Sequence, residues 1–277
     1  MMECRKSLEL AGLSGRGLFF LDSGAHSLYN REVSDKKHSA TQKYAYYETK
    51  EFLKYVDNYA QFVKKYSDVI DYYANVDVIY NPKKSWEAQK YLEQKHGLHP
   101  VPVVHFGTEM KWVERYISKG HSLLGVGGLG QGVTKSGYLA WADKLFTTIC
   151  PAPSYLPIVR THGFAMTSWE LLFRYPWWSV DSASWTKVGA YGGIFVPHKR
   201  KGHFVFNEPP YVLSISEVSP KSKVLGQHYK TLTEIEKRIV REWLNHIVIN
   251  LDKNGSDHGV MTRHSERKMA NLIFFEK

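Results

Sequence analysis

Short apolar runs alternate along the chain with longer stretches in which apolar residues recur every three or four positions. This is the pattern of β/α repeats rather than of a sandwich or a helical bundle. The run "GLFFLDSG" (17–24) reads as a buried strand entering a turn. Residues 49–67 then place Phe52, Val56, Tyr59 and Val63 on one helical face, with Lys54, Asp57 and Lys64 off it. A strand at 72–80 is followed by "NPKKSWEAQKYLEQKHG", which opens on a proline with Ser85 as the expected cap and closes on a glycine.

The unit recurs as strand 101–107 and helix 108–120, strand 122–128 and helix 134–148, strand 156–163 and helix 168–176, then strand 177–182. Six strands with five helical connections predict a parallel sheet with right-handed crossovers, and the expected α/β fold is a (β/α)8 TIM-like barrel. Beyond Asp181, "GGIFVP" and "HFVFN" are candidate strands. The stretch "TLTEIEKRIVREWLNHIVI" is a helix whose capping box is expected at Thr231 and Glu234. No shift in composition marks a linker, so residues 1–277 are expected as a single catalytic barrel domain with a C-terminal helical extension from about 216 to 277.

The charge changes the picture, because 37 basic residues against 27 acidic ones leave a net +10 that attracts polyanions. Basic clusters lie at 34–38, 196–203 and 263–268, with the pairs Lys64-Lys65 and Lys83-Lys84. Singly each reads as a solvated face. Together with 18 tyrosines and 8 tryptophans, some able to stack on bases, they favour nucleic acid as the partner. Cys4 and Cys150 show no ligand spacing, which argues against a disulfide framework or a cysteine-rich zinc site, and no cofactor or metal is expected. With no apolar run of membrane-spanning length and no long apolar leader at the N-terminus, the expected setting is the cytoplasm, with no membrane partner.

The candidate chemistry sits at the ends of the expected strands: Asp22, Asp77, His105, the glycines of "GVGGLGQG" and Asp181. In a (β/α)8 barrel that rim carries the active site, and two carboxylates there could act as nucleophile and general acid/base on an anomeric carbon. Each has a plainer reading beside it. Asp22 in "LDSGAHS" suits a turn, Asp77 suits a hydrogen-bonded strand end, and His105 and His26 suit structural histidines. Asp181, in "WWSVDSASW", is a helix N-cap or an acid held in an apolar enclosure. "GVGGLGQG" fits neither the dinucleotide nor the P-loop spacing.

In order, "LDSGAHS", "NVDVI", "VVHFG", "GVGGLGQG" and "VDSASW" resemble the successive motifs of the tRNA-guanine transglycosylase superfamily. The similarity runs from about residue 17 to 185 and is nearest to the phage and bacterial members that exchange guanine in DNA for a 7-deazaguanine. The resemblance implies Asp181 as the nucleophile on C1′ and Asp22 as the general acid/base. It implies that Asp77 reads the purine edge, Gly128 and Leu129 offer backbone groups to the base, His26 stacks, and Ser23 joins the substrate site. His105 stands where the family has a glutamine that contacts the base, and is carried over as a substrate-binding residue. Three departures accompany it: no cysteine follows Cys150 to build the family's zinc site, no appended RNA-binding domain is evident, and only 16 residues precede the first recognised strand. The barrel is therefore expected to be shortened or modified at the N-terminus, or completed by residues 190–215. The expected partners are DNA and a 7-deazaguanine base. The rivals are a tRNA transglycosylase on a reduced scaffold and a non-catalytic barrel that binds nucleic acid.

Overall fold

A computed structural model describes residues 18–34, 44–127, 133–166, 168–221, 223–251 and 259–276. The protein is mixed α/β, with a four-stranded parallel sheet and, among the described residues, nine α-helices. No helix among the described residues is long and apolar enough to cross a membrane. The chain forms two compact units, one of residues 1–166 and 174–180, the other of 167–173 and 181–277.

In the first unit β1 (Phe20–Leu21) pairs in parallel with β2 (Tyr72–Tyr73). The four-stranded sheet is ordered β3 (Val103–His105), β4 (Leu123–Gly127), β5 (Arg160–Gly163), β6 (Ser179–Val180). A parallel bridge between Ala74 and Val101 links β2 to the start of β3, and each crossover carries helix, as the alternating pattern predicts. Alternation along the strands puts Phe20, Arg160 and His162 on one face, where the Phe20 ring stacks on His162 at 4.5 Å and meets Phe164 edge-on at 5.6 Å. Gly125 makes room for that packing, since a Cβ there would stand 2.5 Å from Phe164.

The α-helices of this unit are α1 (Ala25–Tyr29), α2 (Lys50–Lys65), α3 (Pro82–His96), α4 (Met110–Ser118) and α5 (Lys135–Ile149). Phe52, Val56 and Val63 of α2 are buried with Leu28, Val76, Val78 and Leu92, so the periodicity read from 49–67 defines a real face. The cap of α3 differs from expectation. Asn81 Oδ1 accepts from the Lys84 amide at 3.1 Å, whereas Ser85 lies a turn inside, its hydroxyl exchanging hydrogen bonds with Val78 N and O. With Pro82 at the first helical position, the residue before it is the one left free to cap.

The second unit contains α6 (Trp169–Arg174, all but its last residue), α7 (Ser184–Ala190), β7 (Gly193–Val196), the hairpin β8 (His198–Arg200)–β9 (His203–Val205), β10 (Tyr211–Ser214), α8 (Glu234–His246) and α9 (His264–Glu276). β7 pairs antiparallel with β10, so the residues expected as candidates to complete a barrel form antiparallel ladders among themselves. The capping box of α8 is Thr233 with Glu236, not Thr231 with Glu234. Both pairs have the right spacing, but Thr231 Oγ1 donates to the Val224 and His228 carbonyls and closes a preceding 3-10 turn. Asn271, fully buried on α9, accepts from Phe195 N at 2.7 Å and donates to the Trp185 and Gly193 carbonyls, fixing β7 and the start of α7 to one helix.

Candidate active site

Three of the motifs lie in the first unit, at or just beyond the ends of parallel strands. After β1 the chain turns through Asp22, Ser23 and Gly24 into α1. Asp22 is exposed and Ser23 buried. Gly24 adopts φ +75°, and Tyr55 from α2 reaches under the turn to donate its hydroxyl to Ser23 O at 2.6 Å. A Cβ at Gly24 would stand 2.8 Å from that hydroxyl, so glycine is required both by the backbone and by the contact. His26 is exposed on α1, with Nδ1 3.5 Å from Asn30 Nδ2. Gly24→Ala should therefore cost about 1–2 kcal/mol from the left-handed backbone alone, and should also release Tyr55 and displace Asp22. Urea denaturation checks the first effect; an unshifted midpoint would mean that the turn relaxes freely.

Asp77 follows β2 and His105 closes β3, and both are buried. His105 Nε2 lies 2.5 Å from Asp77 Oδ2. The histidine is held from below as well, because its amide donates to Thr108 Oγ1 at 3.2 Å while the Thr108 carbonyl accepts from Trp141 Nε1 at 2.9 Å. Register pairs His105 with Gly127 at the end of β4, and the imidazole lies across that glycine. Gly128 and Leu129, which follow, lie outside the described residues.

Tyrosines surround these acids. Tyr59, whose hydroxyl donates to Ala74 O at 2.7 Å, has its phenol pushed far up, chiefly by burial and next by the charge of Asp22. Burial and then Asp22 raise Tyr55, and burial, with Asp77 next, raises Tyr47. Tyr44, pushed up to about 12 mainly by burial, donates to the Ile79 carbonyl at 3.3 Å. These phenols stay neutral hydrogen-bonding groups throughout the physiological range. Sequence reading passed over them individually; the clustering of Tyr44, Tyr46, Tyr47, Tyr55 and Tyr59 within one short stretch was the available signal. His162 was passed over too: it is buried beside Phe20, with Nδ1 2.8 Å from Ser179 Oγ.

Asp181 opens the second unit and is exposed. The apolar enclosure expected around it is not formed by its neighbours. Trp177 packs edge-on to Phe146 at 4.9 Å, Trp178 meets Tyr72 at 5.5 Å with the Arg160 guanidinium 4.8 Å from its ring, and Trp185 packs on the second unit's own core. Each of the three rings has packing partners of its own. Ala183 occupies the N-cap position of α7, and the Ser184 amide is taken by Ser182 Oγ at 2.9 Å.

The basic clusters are partly engaged within the protein. Arg200 pairs with Glu208 and Lys199 with Glu242, while Lys84 lies between Glu48 and Glu87. Arg267 is buried, donating to the Gly189 and Val260 carbonyls, and its charge is unavailable to a polyanion. Lys64, Lys65, Lys83 and Lys201 remain exposed, the last at the turn of the β8–β9 hairpin with φ +48°.

No protein-family model, curated protein or solved structure matches the chain.

Proposed function

We propose that the protein is a base-exchange transglycosylase that replaces guanine in DNA with a 7-deazaguanine such as 7-cyano-7-deazaguanine. Its scaffold, on this reading, is a shortened TIM-like barrel. The observation that supports the reading is the order of Asp22, Asp77 and His105 at or just beyond the ends of successive parallel strands, with Asp77 and His105 in contact and Gly127 leading into the glycine-rich segment. In the proposed cycle the Asp181 carboxylate attacks C1′ of the nucleotide. The glycosidic bond breaks as Asp22 delivers a proton to the departing guanine, leaving a glycosyl ester. An incoming base then surrenders its proton to Asp22 and displaces Asp181 from C1′, so configuration is retained. Double displacement of this kind needs the two carboxyls about 5–5.5 Å apart around one sugar.

Incubation with radiolabelled guanine and either duplex DNA or tRNA tests the reading. Label should enter DNA, should be chased out by an unlabelled 7-deazaguanine, and should not enter tRNA. Uptake by tRNA alone would move the activity to the RNA substrate. The exposure of Asp181 favours a second reading, a non-catalytic nucleic-acid-binding barrel, because an open carboxylate does not protect an ester from water. Binding of DNA without uptake of label from any base offered would make that reading the better one.

A further inference from the structure

The base-exchange reading places His105 at the substrate but gives no role to the individual nitrogens of its ring. Its Nε2 faces an oxygen of the Asp77 carboxyl group; where that oxygen accepts from Nε2–H and the ring is neutral, the lone pair falls on Nδ1. Nδ1 is buried and has no hydrogen-bond partner. Buried acceptors are nearly always satisfied, and one that is not implies a missing water or ligand. The edge of the ring bearing Nδ1 and Cε1 faces the side-chain position of residue 127, at 3.3 and 3.4 Å from where a Cβ would stand. Glycine there, buried at the end of β4, leaves room for that edge of the imidazole against the strand.

Tyr80 is the second element of the same place. It is a non-glycine residue at φ +61°, 38% exposed, its ring centroid 6.3 Å from that of His105 and 5.9 Å from that of Tyr29. Such a backbone is costly for a bulky residue and is kept where the surroundings impose it, commonly beside a ligand site. An aromatic wall next to an orphaned acceptor suits a flat ring with an N–H edge.

We propose that His105 Nδ1 is the polar contact for a planar nitrogen heterocycle, accepting one of its N–H groups, with Tyr80 as the adjoining wall and Asp77 as a positioning residue that fixes the tautomer. The assignment of a purine-like base as that heterocycle rests on the base-exchange reading. It also reverses the roles implied by sequence, where Asp77 was expected to read the base edge itself. A lone pair at Nδ1 selects against a ligand that turns a carbonyl oxygen toward it.

The test uses full-length protein labelled with ¹⁵N-histidine, without nucleic acid, titrated with 7-deazaguanine and with its N1-methyl derivative. The His105 signals are assigned by their loss in His105→Gln. In the free protein Nε2 should be protonated and Nδ1 should resonate as an unprotonated ring nitrogen. Adding 7-deazaguanine should move Nδ1 upfield, as hydrogen-bond acceptance does; loss of that shift with the methylated base places the contact at N1–H, and its retention places it at another N–H. His105→Phe keeps a ring on Gly127 and should bind at least about tenfold more weakly. Asp77→Asn can donate to Nε2 and so should invert the tautomer, giving a protonated Nδ1 and weaker binding. An exclusively structural Asp77 would leave the tautomer unchanged. An Nδ1 signal that no heterocycle moves, or an unaltered affinity in His105→Phe, would overturn the proposal and leave an ordered water as the partner. A protein that binds the base through Nδ1 but never exchanges it would sink the base-exchange reading alone; one that exchanges while Nδ1 stays silent would sink the proposal alone.

Discussion

Asp181→Asn should abolish base exchange, lowering its rate by about 10⁴-fold or more, as removal of a covalent nucleophile does in other enzymes. The amide nearly preserves volume but cannot carry the negative charge that attacks C1′, so no protein–nucleic acid adduct should survive a denaturing quench. A loss of that size corresponds to roughly 5.5 kcal/mol of transition-state stabilisation, beyond what altered packing at an exposed position supplies. Affinity for DNA should change little, since the exposed Lys64, Lys65, Lys83 and Lys201 are separate residues, and it should still fall steeply with salt. Exchange at the parental rate would reduce Asp181 to a residue of the turn before α7.

How much of this was legible in the sequence depended on how local the signal was. The α2 face and the closing glycine of α3, Gly97 at φ +63°, were legible because spacing and glycine chemistry act within a few residues. Strands were expected too long. Residues 72–80 read as one strand, yet only Tyr72 and Tyr73 are laddered and Ala74 adds a single bridge to Val101, because pairing needs a neighbour and none is found for the residues that carry Asp77 and Tyr80. The choice between two T-x-x-E spacings at 231–236 was decided by Thr231's bonds to the Val224 and His228 carbonyls, which spacing does not reveal.

The site was legible as a set of polar strand ends but not as a set of contacts. His105 and Asp77 are 28 residues apart, and nothing between them announces that one carboxylate oxygen is taken by the imidazole. The aromatic setting of Asp181 misled for the opposite reason. Sequence proximity to Trp177, Trp178 and Trp185 suggested enclosure, whereas each ring is turned to a different packing partner.

The largest effect on stability should come from Trp243→Ala. Trp243 is fully buried in the second unit, packed against Phe204, Phe206 and Phe274, and its indole Nε1 donates to the Phe195 carbonyl at 3.0 Å. Truncation of a buried Trp costs about 3–5 kcal/mol through lost transfer energy and the cavity left behind. The Phe195 carbonyl also loses its donor, in a strand whose amide at the same residue is held by Asn271. Against a total stability of roughly 5–15 kcal/mol, such a loss takes a large share. Trp243→Phe should cost less, because it keeps most of the apolar contact and forfeits chiefly the hydrogen bond. Urea midpoints followed by far-UV circular dichroism measure both. The same core holds α9, which packs on α7, the helix that follows Asp181, so the alanine variant should lose base exchange at temperatures where the parent is active. A midpoint for Trp243→Ala within about 1 kcal/mol of the parent's would mean that the cluster around Trp243 contributes little to holding that unit together.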